Sequence, residues 1–403
     1  MKNNFQENKG KNGYKIMFNI LTLNNISESG LRRFTKDNYY IAAEIAKPDA
    51  ILLRSYNMHG MEVPSSVMAV GRAGAGVNNI PVDELSARGI PVFNAPGANA
   101  NAVKELVVAG MLLACRHICQ AWDYTRHLEG DDAKLHKQVE DGKKHFVGYE
   151  LPGRILGVIG LGAIGVQVAN VALKLGMQVI AYDPKITVQS AWKLSSEVRQ
   201  AASMNDLLSK SDFITFHVPL EESTHHIINA ERIKLLKTGA VILNFSREGI
   251  VDDETVCKAL DNDKLYAYVC DYVTNLLKDH ERVITLPHIG ASTREAEENC
   301  AIMVVEQVQD YLENGNIVNS VNFPEVVLPE TEGFRIGIAN ANVPNMVGQI
   351  STAMAKANLN IIDLINKSRG DIAYTLADVN CEIPQEVLEQ IEKIDGVLNV
   401  RAI

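Results

Sequence analysis

Four short apolar runs lie between residues 16 and 117, and helical stretches separate them. The runs are IMFNILTL at 16–23, AILLRS at 50–55, VMAVGRAG at 67–74 and IPVFNA at 90–95. Turn signals such as GIP and APG punctuate the alternation. Strands that alternate with helices are typical of a parallel sheet, so this block is predicted to be an α/β domain.

The same alternation continues from about residue 118 to residue 300, which predicts a second α/β domain. A long helical segment at 293–314 then favours a return of the chain to the first block. We therefore expect a discontinuous first domain, 16–117 with 301–325, and a second domain at 118–300. Residues 1–15 are polar and are predicted to be a disordered extension.

The end of the chain has a different order of elements. Pro, Glu and Gly cluster at 322–333, as is typical of a linker. Beyond it, the order strand, helix, strand, strand, helix, strand indicates a small ferredoxin-like domain at 333–403. Apolar residues of its first helix share one face at amphipathic spacing: Met346, Val347, Ile350, Met354 and Ala357. The predicted fold class is α/β, with two doubly wound parallel-sheet domains and a C-terminal α+β domain.

Composition places the chain among soluble globular proteins. It has 403 residues, 46% hydrophobic and 22% charged, enough for two or three buried cores. We find neither a secretory signal nor an apolar run of about eighteen residues, so a cytoplasmic protein is expected. The formal net charge of −10 argues against nucleic-acid binding. Six scattered cysteines without a CxxC pair indicate reduced structural thiols rather than a metal site.

A glycine-rich turn at 154–165 (RILGVIGLGAIG) joins an apolar strand to a helix. Gly160 permits a tight turn, Gly162 lets the backbone approach a pyrophosphate, and Gly165 allows close contact of helix and strand. The N–H groups at the start of the helix, around Ala163 and Ile164, would face the phosphates. The flanking strand and helix make this a dinucleotide site of a Rossmann-like domain.

The next strand ends in Asp183, twenty-one residues beyond Gly162. An acid at about this position binds the ribose hydroxyls and repels the extra phosphate of NADP. Lys185 weakens the argument, and an acid that merely caps the strand is the alternative. We predict NAD as the cofactor.

Three further segments resemble the D-2-hydroxyacid dehydrogenase family: 207–224 (LLSKSDFITFHVPLEEST), 236–252 (LKTGAVILNFSREGIVD) and 287–293 (PHIGAST). The resemblance implies a two-domain, NAD-dependent, homo-oligomeric enzyme whose active site lies in the cleft between the domains. It implies that Arg247 binds the substrate carboxylate and that His288 exchanges the proton. By the same resemblance, Asp271 accepts a hydrogen bond from the nicotinamide carboxamide. The resemblance also implies that backbone groups of Val218, Pro219, Phe245 and Ser246 line the nicotinamide side of the cleft, and that His288 and Gly290 are among the cofactor-binding residues.

Physical chemistry agrees with these two assignments. Arg247 follows the apolar run AVILNFS, and its planar fork matches a carboxylate bidentately. His288 follows the run RVITL, and histidine is a residue type suited to proton exchange near neutral pH. A solvated surface arginine and a satisfied core histidine are the alternatives.

Residues 71–107 and 52–55 resemble the phosphoglycerate dehydrogenase branch of the family. A phosphorylated substrate needs additional positive charge, and the candidate substrate-binding residues are Arg54, Arg72, Lys143, Lys144 and the nearby Asn99. The N–H groups of Gly74 and Gly76 are candidates for an anion-binding nest around the substrate carboxylate. An ordinary solvated charge run remains the alternative for the lysine pair.

The C-terminal residues resemble an ACT domain, a small regulatory module that binds amino acids. The resemblance implies a serine site between subunits of a homodimer or homotetramer. Asn340, Asn342 and Asn360 occupy the ligand-binding positions, with Asn340 in place of a more usual histidine. A purely structural, dimerising module is the alternative.

One departure from the family concerns the histidine partner. The family normally carries a glutamate four or five residues after the acid at Asp271, whereas this chain has Asn275 and Leu276 there. Asp279 and Glu281 lie nearby in sequence. The resemblance favours the phosphoglycerate dehydrogenase reaction, and this departure leaves two other functions open. One is a different 2-hydroxyacid enzyme, such as a glyoxylate/hydroxypyruvate reductase or D-lactate dehydrogenase. The other is a non-catalytic NAD-sensing protein.

Overall fold

In the computed structural model, residues 17–329, 331 and 333–403 are described, and the predicted extension at 1–15 lies outside them. Contacts divide the chain into two units. One contains the residues up to Ala98 together with Glu297–Ile403, and the other is Asn99–Ala296.

Short strands and helices follow one another in the order that the apolar pattern predicts. Up to Phe93 the elements are β1 (Phe18–Thr22), α1 (Glu28–Leu31), β2 (Tyr39–Ala42), β3 (Ala50–Leu53), β4 (Ala69–Arg72), α2 (Val82–Ala87) and β5 (Val92–Phe93). The strand β2 was not predicted, because only four residues form it and two of them are tyrosines in a polar stretch.

The second unit contains the longest series of elements. They are α3 (Ala100–Arg116), α4 (Ile118–Arg126), α5 (Asp132–Gly142), a 3-10 turn (Lys143–Phe146), β6 (Ile155–Ile159), α6 (Ala163–Lys174), β7 (Gln178–Tyr182), α7 (Val188–Lys193), β8 (Arg199–Gln200), α8 (Met204–Lys210), β9 (Phe213–Phe216), α9 (Ala230–Leu235), β10 (Ala240–Asn244), α10 (Asp253–Asp261), β11 (Leu265–Cys270) and β12 (Val283–Thr285).

The final elements are α11 (Arg294–Asn314), β13 (Phe334–Ala341), α12 (Met346–Lys356), β14 (Ile361–Arg369), β15 (Ile372–Val379), α13 (Gln385–Glu392) and β16 (Val397–Ala402). The strands form three sheets. Parallel sheets have the orders β2-β1-β3-β4-β5 and β12-β11-β10-β9-β6-β7-β8, and the antiparallel sheet has the order β14-β15-β13-β16. The predicted fold class, including the βαββαβ order of the C-terminal module, is confirmed.

Central strands of the second unit are apolar on both faces because helices cover both. All five residues of β10 are buried, as are all four of β9. Helix α10 begins after Asp252, whose side chain accepts a hydrogen bond from Thr255 N. The loops that follow these strands carry the candidate site.

Helix α3 belongs to the second unit, although our sequence boundary at 117/118 assigned it to the first. Val103, Val107 and Met111 share a buried core with the strands of the seven-stranded sheet. The boundary shifted because an apolar helix does not reveal from its sequence which neighbouring sheet it covers.

Helix α11 returns to the first sheet, as its position predicted. Val304 and Val308 share a buried core with Ile20 and Phe93. At Gly71 an added Cβ would lie 2.8 Å from the Val304 side chain, so the helix packs directly on β4.

The C-terminal sheet is covered on both faces. Ile336 and Ile338 pack with Ile350 and Ile391 of the two helices. On the opposite face Tyr374, together with other residues, joins the core of the first sheet.

The segment at 322–329 is packed rather than an exposed linker. Phe323, Val326 and Leu328 are all buried in the same core as Tyr311 of α11. The prediction of a linker rested on the Pro and Glu residues of this segment. It did not take into account its three apolar residues, which favour burial.

Candidate active site

The three glycines of the turn after β6 have different surroundings. Gly160 has φ 91°, and an added Cβ would lie 2.5 Å from the His217 carbonyl. At Gly165 an added Cβ would lie 1.9 Å from Gly160 O, whereas at Gly162 it would meet nothing within 4 Å. The first and third positions thus exclude a side chain by packing, and the second leaves space for a ligand.

The start of α6 is open to an anion. Gly162 is its N-cap residue, and no side chain caps it in the part of the chain described here. The amide groups of Ala163 and Ile164 begin this helix, where backbone N–H groups and the helix dipole favour a phosphate.

Asp183 follows β7 and is held next to the same turn. Its Oδ2 accepts a hydrogen bond from Leu161 N at 2.7 Å, and Oδ1 accepts one from Lys185 N at 2.8 Å. Those two bonds fix the carboxylate beside the open Gly162. The side chain of Lys185 is exposed.

His217 lies in the loop after β9, and its backbone carbonyl packs against Gly160 of the glycine turn. Its Nε2 lies 3.1 Å from Thr215 Oγ1. Burial lowers the pKa of His217 to about 3, so its ring stays neutral at ordinary pH. A packing role for this residue follows from that environment.

The loop after β10 presents Arg247. The buried Asn244 braces it, since Oδ1 accepts from Ser246 N at 3.2 Å and Nδ2 donates to Arg247 O at 3.0 Å. Ser246 Oγ donates to Val218 O at 2.5 Å, which joins this loop to the one after β9. Arg247 itself is exposed, and its Nη1 donates to Ser246 O at 2.8 Å.

Phe245 and Pro219 flank these two loops. The Phe245 ring is buried against α3, where an added Cβ at Gly110 would lie 2.8 Å from it. Pro219 is exposed, next to Val218. These apolar side chains are compatible with the prediction that this end of the sheet faces the nicotinamide ring.

Asp271 is a buried carboxyl at the end of β11. Burial raises its pKa, whereas the charges of His288 and Arg247 and a hydrogen bond from the Gly290 backbone oppose this rise. Its Oδ1 has no hydrogen-bond partner among the described residues. An orphaned buried acceptor beside these groups fits an amide donor from a ligand.

The backbone of His288 is tied to Asp271. Its N–H lies 3.1 Å from both Asp271 O and Leu286 O, and its φ is 25°. The ring is exposed and meets Tyr272 edge to face, with 5.3 Å between centroids. Arg247, Asp271 and His288 are therefore neighbours at the ends of β10, β11 and β12.

Asp279 and Glu281 have other surroundings. Asp279 Oδ2 lies 3.9 Å from Lys278 Nζ, and Glu281 is exposed with its carbonyl accepting from Gln120. By contrast, the charge of His288 opposes the rise in the pKa of the Asp271 carboxyl, so these two groups lie near each other. Sequence reasoning also missed Tyr272, because no motif gives a role to the position directly after Asp271.

In the first unit, Arg54 follows β3 and Arg72 ends β4. Arg54 Nη2 pairs with Glu297 Oε1 at 2.8 Å. Burial raises the pKa of the Cys300 thiol, and the charges of Arg54 and Arg72 oppose this rise. Both guanidinium groups therefore lie close to one point, at the carboxyl ends of adjacent parallel strands.

The nest predicted at Gly74 and Gly76 is only partly available. Gly74 N already donates to Arg72 O at 2.8 Å, and an added Cβ at Gly74 would lie 2.6 Å from Arg72 Nη1. The loop is held by Asn94 Nδ2, which donates to Ala75 O at 2.6 Å. The Gly76 amide is therefore a better candidate than the Gly74 amide to donate a hydrogen bond to the substrate carboxylate.

The remaining substrate candidates lie in the second unit. Lys143 pairs with Glu140 one helical turn away, and both Lys143 and Lys144 are exposed. Such surroundings are those of a solvated charge run. Asn99 is the N-cap residue of α3 but makes no side-chain capping bond, and its Oδ1 is buried without a partner among the described residues.

The three candidate regulatory asparagines do not converge within one chain. Asn342 Nδ2 donates to Gly370 O at 3.0 Å, at the end of β13 where Asn340 is buried. Asn360 bonds to Asn380 beyond the other end of the same sheet. The register Phe334↔Val379 to Ala341↔Ile372 separates these ends by roughly 25 Å.

Comparison with known proteins decides the family. The model for the D-isomer specific 2-hydroxyacid dehydrogenase NAD binding domain matches residues 108–290. The D-3-phosphoglycerate dehydrogenase of Haemophilus influenzae is 34% identical over 355 residues, covering 85% of this chain and 83% of that protein. The chain belongs to the D-2-hydroxyacid dehydrogenase family. As a member of it, the chain uses NAD, for which the glycine turn, Asp183 and the orphaned Asp271 Oδ1 are suited.

Other relatives agree with this assignment. The D-3-phosphoglycerate dehydrogenase of Methanocaldococcus jannaschii is 35% identical, covering 83% of this chain and 62% of that protein. The apo D-mandelate dehydrogenase of Rhodotorula graminis is similar in fold, with a TM-score of 0.65 and 22% identity over 78% of this chain and 99% of its own.

Within the described residues, no helix has both the length and the apolarity that a bilayer span needs. The same residues contain no group of three His, Cys, Asp or Glu side chains placed to hold a metal ion.

Proposed function

We propose that this dehydrogenase oxidises D-3-phosphoglycerate to 3-phosphohydroxypyruvate with NAD, a reaction of L-serine biosynthesis. Relatives at 34–35% identity carry the name D-3-phosphoglycerate dehydrogenase. The structural observation that carries the proposal is the placement of Arg54 and Arg72 at the carboxyl ends of adjacent parallel strands, where Leu53 pairs with Arg72 and Glu297 holds Arg54 at 2.8 Å. Two guanidinium groups suit a doubly charged phosphate, which an unphosphorylated hydroxy acid lacks.

Arg247 would bind the substrate carboxylate. Its Nη1 is oriented by Ser246 O, and a planar guanidinium can bind both carboxylate oxygens. The Asn244 brace and the Ser246–Val218 bond hold the loop, so the fork is ordered before substrate arrives.

An imidazole nitrogen of His288 would take the proton from the C2 hydroxyl group. The glycine turn, Asp183 and Asp271 would hold NAD, which would supply the acceptor for the hydride that leaves C2. Asp271 holds the backbone of His288 through its carbonyl and offers Oδ1 to the cofactor carboxamide. Arg247 keeps the substrate carboxylate fixed while the proton leaves.

Initial rates of NADH oxidation with four acceptors test the proposal. We expect kcat/KM for 3-phosphohydroxypyruvate to exceed that for glyoxylate, pyruvate and 2-oxoglutarate by at least about tenfold, since the phosphate adds charged contacts. Arg54→Met should reduce that preference. Arg33→Met, which removes an exposed partner of Glu306, is the control.

The other two functions make different predictions in the same assay. Equal or better turnover of glyoxylate or pyruvate would indicate a different 2-hydroxyacid dehydrogenase. Tight NADH binding without turnover of any acceptor would indicate an NAD-sensing protein.

We also propose a homodimer or homotetramer with an L-serine site between ACT modules. Support comes from the separation of Asn342 and Asn360 within one chain, because a second copy is needed to bring such positions together. Serine titration of the activity and sedimentation velocity test this, with Asn342→Ala expected to raise the inhibitory serine concentration. Buried thiols such as Cys115 and Cys270 fit a reducing compartment, and we propose the cytoplasm.

A further inference from the structure

Tyr272 lies between the two side chains assigned to substrate chemistry. It follows Asp271 at the end of β11 and is half-buried. Its hydroxyl group donates a hydrogen bond to the Ser246 carbonyl. Arg247 Nη1 donates to that same carbonyl at 2.8 Å. A carbonyl oxygen has two lone pairs, so it can accept both donors at once.

The other side of Tyr272 faces the histidine. The two rings meet edge to face at 72°, with centroids 5.3 Å apart. This is a favoured aromatic geometry, and it restricts rotation of an otherwise exposed imidazole. One side chain therefore touches both the carbonyl that orients Arg247 and the ring of His288.

No carboxylate from the following loop takes this place. Val273, Asn275 and Leu276 are exposed, and none of them is acidic. Burial raises the pKa of the Tyr272 hydroxyl, and the charge of Asp271 adds to this effect while Arg247 opposes it. The hydroxyl is therefore protonated at neutral pH and acts as a donor.

We propose that Tyr272 is a positioning residue, which sets the orientation of Arg247 through Ser246 O and of His288 through the ring contact. This inference rests on the roles proposed above for Arg247 and His288. Tyr272 does not exchange a proton in the reaction. It orders two groups that otherwise project from separate strand ends.

The two contacts can be removed separately. Tyr272→Phe keeps the ring and loses the hydroxyl, so Arg247 should bind substrate less well and the acceptor KM should rise about five- to tenfold with kcat nearly unchanged. Tyr272→Leu removes the ring, so His288 should lose its orientation and kcat should fall at least about tenfold. Neither variant should move the acid limb of the kcat/KM profile, because no charge is removed.

Tyr266, on the strand β11 that precedes Tyr272, offers a matched control. Its hydroxyl lies 2.6 Å from His117 Nε2, away from the candidate site. Tyr266→Phe and Tyr266→Leu make the same chemical changes and should leave KM and kcat within about twofold of wild type. Similar losses in both pairs would show a general effect of weakened packing and would overturn the proposal.

Crystal structures provide a readout that does not depend on turnover. In the wild type and in Tyr272→Phe, the His288 ring should occupy one orientation, whereas in Tyr272→Leu it should occupy several. An unchanged, single His288 orientation in Tyr272→Leu overturns the inference, even if the enzyme acts on 3-phosphohydroxypyruvate. If wild type turns over none of the acceptors, the proposed function fails, and the ring orientations still decide the role of Tyr272.

Discussion

Arg335 and Asp378 form a bidentate ion pair inside the C-terminal sheet. Arg335 Nε lies 2.6 Å from Asp378 Oδ1 and Nη2 lies 2.9 Å from Oδ2, and only 8% and 1% of the two side chains are exposed. The guanidinium also donates to the carbonyls of Asn314, Leu328 and Pro329. It thus ties the end of α11 and the following segment to β13 and β15.

Removing only the arginine should be costly. Arg335→Met leaves the Asp378 carboxylate buried without its main partner, which costs about 3–5 kcal/mol in other proteins. We expect a clear fall in the urea midpoint and in Tm. Arg335→Met with Asp378→Leu should recover much of the loss, because no buried charge remains. Arg32→Met, at an exposed pair, should change neither quantity measurably.

Arg247→Lys keeps the charge and loses the planar fork. We expect kcat/KM to fall at least about a hundredfold, roughly 2.7 kcal/mol of transition-state stabilisation. Arg232→Lys is the control, since Arg232 Nη1 bonds to Ile227 O within the same unit. Near-normal kinetics of Arg247→Lys would remove Arg247 from the site.

Asp183→Ala should weaken NADH binding and narrow its preference over NADPH. The carboxylate lies beside the open Gly162 through its bond to Leu161 N, where a ribose hydroxyl or a 2′-phosphate would approach. The ratio of kcat/KM values for NADH and NADPH is the measurement. If that ratio does not change, Asp183 only braces the glycine turn.

Part of this site could be predicted from the sequence, because some positions accept only one type of residue and lie at a recognisable distance from a strand or helix. Gly160 and Gly165 have no room for a Cβ, and both were identified from the strand and helix around them. Arg247 and His288 each follow an apolar run. Because such a run predicts a strand and polar residues mark its end, both side chains could be placed just beyond strand ends, after β10 and β12.

Other features depend on packing and register. Nothing in the sequence of α3 shows that Gly110 packs against Phe245. The distance between Asn342 and Asn360 follows from the register of β13 with β15, which spacing alone does not give. Gly74 was assigned a free amide because the turn that uses it, to Arg72 O, is visible only in the folded chain.

Asp271→Asn should stabilise the protein at neutral pH while it impairs the cofactor site. Burial raises the carboxyl pKa in the folded state, so the folded protein binds this proton more tightly than the unfolded chain. Stability from this group is fully present below the unfolded pKa of 3.8 and is lost as pH rises through the folded value. At pH 7–8 the amide should therefore raise Tm, with the difference vanishing towards pH 4.

Asp206→Asn is the matched control of opposite sign. A hydrogen bond from Lys210 lowers the pKa of Asp206, so its carboxylate favours folding at neutral pH and the amide should lower Tm slightly. A lower Tm of Asp271→Asn at pH 7–8 would mean that the charges of His288 and Arg247 outweigh burial. NADH affinity, measured in parallel, should fall for Asp271→Asn alone.

Asn275 and Leu276 stand where the family normally carries a glutamate. A carboxylate beside a histidine favours the imidazolium form. Oxidation of the hydroxy acid needs a neutral imidazole, so Asn275→Glu or Leu276→Glu should move the acid limb of the kcat/KM profile to higher pH. Both positions are exposed, Leu276 by 47%, so the new side chain can be accommodated. Val273→Glu, on the same loop and also exposed, shows whether any added charge has this effect.

His288→Ala separates the possible causes of an unshifted profile. If it abolishes turnover while neither glutamate moves the limb, an acid already acts on the ring, and Asp271 is the carboxyl with which the His288 charge interacts. Combining Leu276→Glu with Asp271→Asn should then reveal the shift. If His288→Ala leaves turnover intact, His288 is not the proton acceptor and its catalytic assignment is wrong.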